Sequence, residues 1–173
     1  MTESINEKEL IRRTAARRAL SGLEYMRMLA AGELEPSGMA ALMGFRLLEV
    51  SEGHAVFAIQ PDERHYNGLG IAHGGLAATL LDSATGCAIN TMMPPGRIFT
   101  TLEMKINFVR PLRRETGEVL CEAHVINLGS RTGTADGRIV DRQGKLYAHG
   151  TATCMLFLPT SDRTAMEEVN DVT

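Results

Sequence analysis

Apolar residues recur along this chain with two different periods, and the change of period marks out its elements. Over residues 1–33, Leu10, Ile11, Ala15, Leu20, Leu23, Met26 and Leu29 fall mostly at helical steps with arginines between them, which predicts a helix with one apolar face. Gly32 and then Pro36-Ser37-Gly38 end that pattern, and a short helix over Met39–Met43 is expected next. From Phe45 the text becomes strand-like. Phe45–Val50 and Ala55–Ile59 flank the turn sequence Ser51-Glu52-Gly53 and read as a hairpin closed by Pro61. Residues 62–72 are loop, and Gly74 to about Met92 is the longest helix-compatible segment, stopped by Pro94-Pro95-Gly96. It is apolar nearly all round, so burial on every side is expected. Thr101–Phe108 then alternates polar and apolar without a slip, and residues 117–128, 132–141 and 145–157 give three further strands separated by turns.

Helix, two strands, one buried helix and four strands make an α+β protein with an antiparallel sheet rather than a doubly wound parallel one. A single apolar helix needs a large cover, and a curved sheet wrapped around it is the simplest. Such a sheet keeps free edges, so pairing with a second copy is expected.

Composition narrows the function. The 173 residues carry 18 basic and 21 acidic side chains, a net charge of −3 that argues against a general nucleic-acid binder. No apolar run reaches the roughly 18–20 residues of a membrane span, and the acids Glu3, Glu7 and Glu9 argue against a transit peptide, so a cytoplasmic protein without membrane partners is expected. Cys87, Cys121 and Cys154 stand far apart in apolar contexts, as reduced core thiols do, and no CxxC or HxxxH spacing points to a metal. The ten methionines read as core or pocket filler.

The chemistry is concentrated in His65-Tyr66-Asn67-Gly68-Leu69-Gly70-Ile71-Ala72-His73-Gly74-Gly75 and in Asp82 on the helix that follows. Gly68-x-Gly70-x-x-His73 is not a dinucleotide fingerprint, and no phosphate loop, GxSxG or HExxH occurs. His73-Gly74-Gly75 at a helix start offers unpaired amides and the positive helix end to a polarised carbonyl, though two glycines can also serve a tight helix entry alone. Asp82 lies in an apolar helix, where an aspartate is either paired within the fold or functional as a base or nucleophile. Eight residues separate it from Gly74, roughly 12 Å along the axis. One helix therefore does not easily bring both groups to one small carbonyl, and a joint site is expected at a two-fold interface between copies.

Asn67-x-x-Gly70-x-x-His73-Gly74-Gly75 followed by Asp82, and the strand Thr100–Pro111, resemble the hotdog-fold acyl-CoA thioesterases of the phenylacetate-pathway (PaaI-like) group over about residues 40–158. The resemblance implies a curved sheet around one helix, a homodimer or dimer of dimers, and three parts: an N-terminal helical extension (1–38), the hotdog domain (39–158) and a flexible tail (159–173). It implies hydrolysis of an aryl-, short- or medium-chain acyl-CoA, with coenzyme A as part of the substrate and no separate cofactor. In that pattern Asp82 activates water or attacks the thioester, the Gly74 amide polarises the carbonyl from the other subunit, and Asn67 holds the water or the carboxylate. His73 helps the thiolate leave, and Thr101 assists the water where some relatives have Ser.

Phosphates of coenzyme A call for basic groups. Arg110, Arg113 and Arg114 cluster at one strand end, and Gly129-Ser130-Arg131-Thr132 matches a loop that the family sets beside pantetheine or phosphate. Gly75 and His65 are further candidates for the pocket lining, whereas His54, His124 and His149 read as surface or satisfied core residues. A non-catalytic acyl-CoA sensor or carrier on the same fold is the alternative; a hydratase is disfavoured because the loop reads Asp62-Glu63-Arg64-His65-Tyr66-Asn67 and lacks the expected Asp-x-Asn-Pro-x-His pattern.

Overall fold

The computed structural model describes residues 7–157; the helix expected over 1–6 and the tail expected at 159–173 lie outside them. The N-terminal periodicity resolves into two helices rather than one, α1 (Glu7–Ala19) and α2 (Gly22–Ala30). The cause is local: the Ser21 hydroxyl accepts from Glu24 N–H at 3.3 Å while the Glu24 carboxylate accepts from Ser21 N–H at 2.8 Å, a reciprocal cap that starts a new helix. Gly22 N–H then donates to Met93 O at 2.9 Å, so α2 docks beside the end of the long helix. The short α3 (Gly38–Met43) is capped by Ser37 and ends at Gly44, whose φ of 76° is left-handed.

Six strands form one antiparallel sheet: β1 (Arg46–Ser51), β2 (His54–Ile59), β3 (Ile98–Phe108), β4 (Val119–Leu128), β5 (Thr132–Asp141) and β6 (Leu146–Phe157). Their spatial order is β1-β2-β4-β5-β6-β3, so β1 and β3 are its edges. β3 begins at Ile98, before the alternating segment, and a register shift against β6 between Thr101 and Glu103 leaves Leu102 half exposed. The long helix α4 (Gly74–Thr91) lies against all six strands. Leu80, Leu81, Ala84 and Ala88 are essentially inaccessible, packed with Phe57, Val119, Cys121 and Ile139 from the strands, and Ile89 is buried with Ala135, Cys154 and Leu156.

The sheet does not cover α4 completely. Asp82, Ser83 and Cys87 are only half-buried, and Cys87 packs with Tyr25, Met26 and Leu34 of the N-terminal segment. Asp82 and Ser83 thus break the apolar pattern where the sheet does not reach, whereas Thr85, Asn90 and Thr91 are buried. Cys87, Cys121 and Cys154 are all unpaired. His54 stacks on His124 across β2 and β4, with ring centroids 4.5 Å apart, while His149 is exposed.

Candidate active site

His73 is the N-cap of α4. Its Nδ1 accepts from Gly75 N–H at 2.8 Å, and its carbonyl accepts from Leu76 N–H at 2.9 Å. With Nδ1 an acceptor, the neutral ring carries its proton on Nε2. Among the described residues, Gly74 N–H is then the first-turn amide left for a ligand. The two glycines have different duties. A Cβ on Gly75 would stand 2.9 Å from His73 Nδ1, so this glycine makes room for the capping ring; a Cβ on Gly74 would meet the Phe108 ring at 3.2 Å. Gly75, a candidate for the pocket lining, spends its amide on the cap.

Asn67 is half-buried, and its Oδ1 accepts from Leu69 N–H at 2.9 Å, which engages the oxygen and leaves Nδ2 as the donor of that side chain. Asn67, His73, Gly74 and Arg110 line one pocket of about 470 Å³, walled by Phe108 and Tyr147. Arg110 is anchored there by Nη1 donating to Leu146 O at 2.6 Å. Burial, and then the neighbouring Asp141, push the Tyr147 phenol above its usual range, so it stays neutral. Phe108 stands in the strand that carries the resemblance, which assigns it no role, and Tyr147 has no motif; both gain meaning only when the end of β3 and the start of β6 meet beside the α4 N-terminus.

His65 belongs to the scaffold. It is buried, Nδ1 accepting from Asp62 N–H at 3.0 Å and Nε2 lying 2.8 Å from Met43 O, while its carbonyl accepts from His73 N–H at 2.7 Å. Both ring nitrogens are engaged, and His65 fixes the loop that aims His73 rather than lining the pocket. Arg114 is likewise committed, to Glu63 at 2.9 Å, and Arg113 is exposed.

Asp82 opens elsewhere, onto a second cavity of about 600 Å³ that shares no residue with the first. Thr101 Oγ1 donates to Asp82 Oδ1 at 2.7 Å, joining the α4 carboxylate to β3. Oδ2 is left for another partner. Cys87 lines the same cavity, but burial pushes its thiol up to about 12, so it stays a thiol there.

Gly129-Ser130-Arg131-Thr132 forms the β4–β5 turn, closed by Gly129 N–H on Thr132 O at 2.8 Å. Arg97 donates to Ser130 O, and Gly133 packs on Ile89 near the far end of α4. That is 15 residues beyond Gly74, roughly 22 Å along the helix. Within one chain the turn is therefore not brought to the His73–Gly74 pocket.

A sheet wrapped on one helix, with polar groups near the start and the middle of that helix, defines a hotdog protein. The family model described as "Thioesterase superfamily" matches residues 69–148. The PaaI protein of Thermus thermophilus, solved as a mutant, is 33% identical with a TM-score of 0.61, covering 68% of this chain and 96% of that one. The E. coli PaaI protein from the phenylacetic acid degradation operon is 26% identical with a TM-score of 0.69, covering 82% and 99%. Human acyl-coenzyme A thioesterase 13 is 28% identical over 109 residues, covering 62% of this chain and 76% of its own. The chain belongs to the thioesterase superfamily, and it is a thioesterase.

Proposed function

We propose that this thioesterase hydrolyses acyl-CoA to a free acid and coenzyme A at sites shared between two copies of the chain. The observation that carries the reading is the separation of the two half-sites along α4 and β3. Thr101 holds Asp82 at one end of β3, and Phe108 abuts Gly74 at the other. β3 is an edge strand. Antiparallel pairing of β3 with itself, about a two-fold between Met104 and Lys105, sets Thr101 of one copy opposite Phe108 of the other. Asp82 of one subunit then faces Gly74, His73 and Asn67 of its partner, twice per dimer. The exposed apolar side chains of Leu102, Phe108 and Val109 favour such a contact.

In this site the free Asp82 oxygen takes a proton from water, and the hydroxide oxygen adds to the thioester carbonyl. The oxyanion is stabilised by Gly74 N–H at the positive end of α4. Collapse breaks the C–S bond; His73 Nε2–H hydrogen-bonds the departing thiolate, which takes the proton that Asp82 removed from the water. Thr101 orients the base, and Nδ2 of Asn67 donates to the attacking water or the carboxylate. Arg110 beside the Gly74 pocket, and the 129–132 turn, supply contacts to the coenzyme phosphates.

The test is thiol release from a panel of aryl-, short-, medium- and long-chain acyl-CoAs, wild type beside Asp82→Asn. Hydrolysis by wild type that drops at least about a hundredfold in the variant upholds the reading. Acyl-CoA binding without release would replace it with a sensor or carrier.

A further inference from the structure

The N-terminal helices lie outside the part of the chain that the family model matches, yet they build a wall of the Asp82 cavity. Tyr25, Met26 and Leu29 of α2 line it together with Phe45, Phe57 and Phe99. The cavity is apolar enough for an acyl chain, but α1 adds two cations to its lining, Arg13 and Arg17. Both are half-buried. Arg17 lies over the Tyr25 ring, 4.4 Å from its centroid, and Arg13 Nε donates to Tyr25 OH at 3.3 Å, so Tyr25 holds the pair together. Among the described residues neither is ion-paired with a carboxylate, whereas Arg46, Arg64, Arg114, Arg138 and Arg142 all are. Tyr25 engages both guanidiniums but brings no negative charge, and a plain acyl chain would offer them no acceptor.

We propose that the Arg13–Tyr25–Arg17 cluster recognises a carboxylate at the far end of the acyl group, making this an ω-carboxyacyl (half-dicarboxylyl) thioesterase. The inference rests on Asp82 being the hydrolytic carboxylate. An anion is unwelcome beside Asp82 at the thioester end, so the substrate charge belongs at the opposite end, against the arginines. A planar guanidinium fork fits a carboxylate with two parallel hydrogen bonds, and the apolar side chains that line the cavity bury the methylenes or an aryl spacer.

The test compares matched thioesters, adipoyl-CoA against hexanoyl-CoA and suberoyl-CoA against octanoyl-CoA, in wild type, Arg17→Met, Arg17→Lys and Arg13→Met, with melting temperatures confirming folding. Binding of adipic acid monoamide is measured against hexanamide, the amide standing in for the thioester. The expected result is a preference in kcat/KM for the carboxylated member of at least about tenfold, lost in Arg17→Met and partly kept in Arg17→Lys. If Arg17→Met fails to fold, Arg13→Met shows the same loss of preference. Equal or better hydrolysis of hexanoyl-CoA by wild type overturns the proposal and leaves the thioesterase reading standing. If no acyl-CoA releases thiol, that reading falls, and the amides decide the cavity. Tighter binding of the carboxylated amide, lost in Arg17→Met, upholds the carboxylate site, and equal binding overturns it.

Discussion

Thr101 and Asp82, 19 positions apart in the chain, are joined by a 2.7 Å hydrogen bond from the Thr101 hydroxyl to Asp82 Oδ1. The bond fixes the carboxylate against β3 and leaves one oxygen to act. Thr101→Val keeps the shape and deletes the donor. A hydrogen bond to a charged group is worth about 1.5–3 kcal/mol, so kcat should fall by roughly ten- to a hundredfold with little change in melting temperature. Thr101→Ser should retain most turnover. Steady-state kinetics on the three proteins checks this, and a fully active valine variant would remove Thr101 from the site.

Gly74 is the first residue of α4, a position where proline is tolerated because its missing N–H has no partner in the helix. His73, at φ −60° and ψ 141°, already has the backbone that precedes proline. Gly74→Pro should therefore fold, yet lose kcat by about a hundred- to a thousandfold as an oxyanion donor disappears. Gly74→Ala keeps the amide and presses only on the Phe108 ring, at 3.2 Å. It should stay within a few fold of wild type.

Gly75→Ala acts differently. Its Cβ would meet His73 Nδ1 at 2.9 Å and displace the ring from the cap. The expected loss is about 0.5–2 kcal/mol of stability together with turnover, read from urea denaturation and kinetics.

Acid should weaken the fold through the His54–His124 stack. Burial, and then the adjacent His124, hold the His54 ring below its usual value. The unfolded chain then binds more protons than the folded one below about pH 6.5. The stabilisation is complete above that pH and is lost as pH falls through the lower folded value. His54→Gln should flatten the dependence of melting temperature on pH over this window; an unchanged slope would exclude the stack as its source.

A Cβ at Gly22 would fall 1.6 Å from Asn90 O, so α2 cannot keep its place in Gly22→Ala. A loss of about 1–3 kcal/mol or more is expected, along with altered acyl-chain preference as the wall of the Asp82 cavity shifts.

Much of this was legible in the residues. Alternation in Thr101–Phe108 and the apolar run after Gly74 give β3 and α4, and Asn67, His73, Gly74 and Asp82 stand out by type and spacing. Ser21-x-x-Glu24 was a readable helix start, but the periodicity carries across it and hides the break. His65 looks like a site residue because it sits beside Asn67; only the fold shows both its nitrogens engaged. Nor does helical amphipathicity say where a helix docks, so the meeting of Arg13, Arg17 and Tyr25 with the cavity of Asp82 depends on tertiary packing alone.

Mixing two inactive proteins tests the shared site most directly. Asp82→Asn and the double variant Asn67→Ala/His73→Ala are each expected to be nearly dead as homodimers. In a hybrid dimer, one site carries every defect and the other carries none. Co-expression with random pairing should restore acyl-CoA hydrolysis to about a quarter of the wild-type rate. Hybrid dimers isolated by two affinity tags and still without turnover would show that Asp82 and the His73–Gly74 end do not meet across subunits.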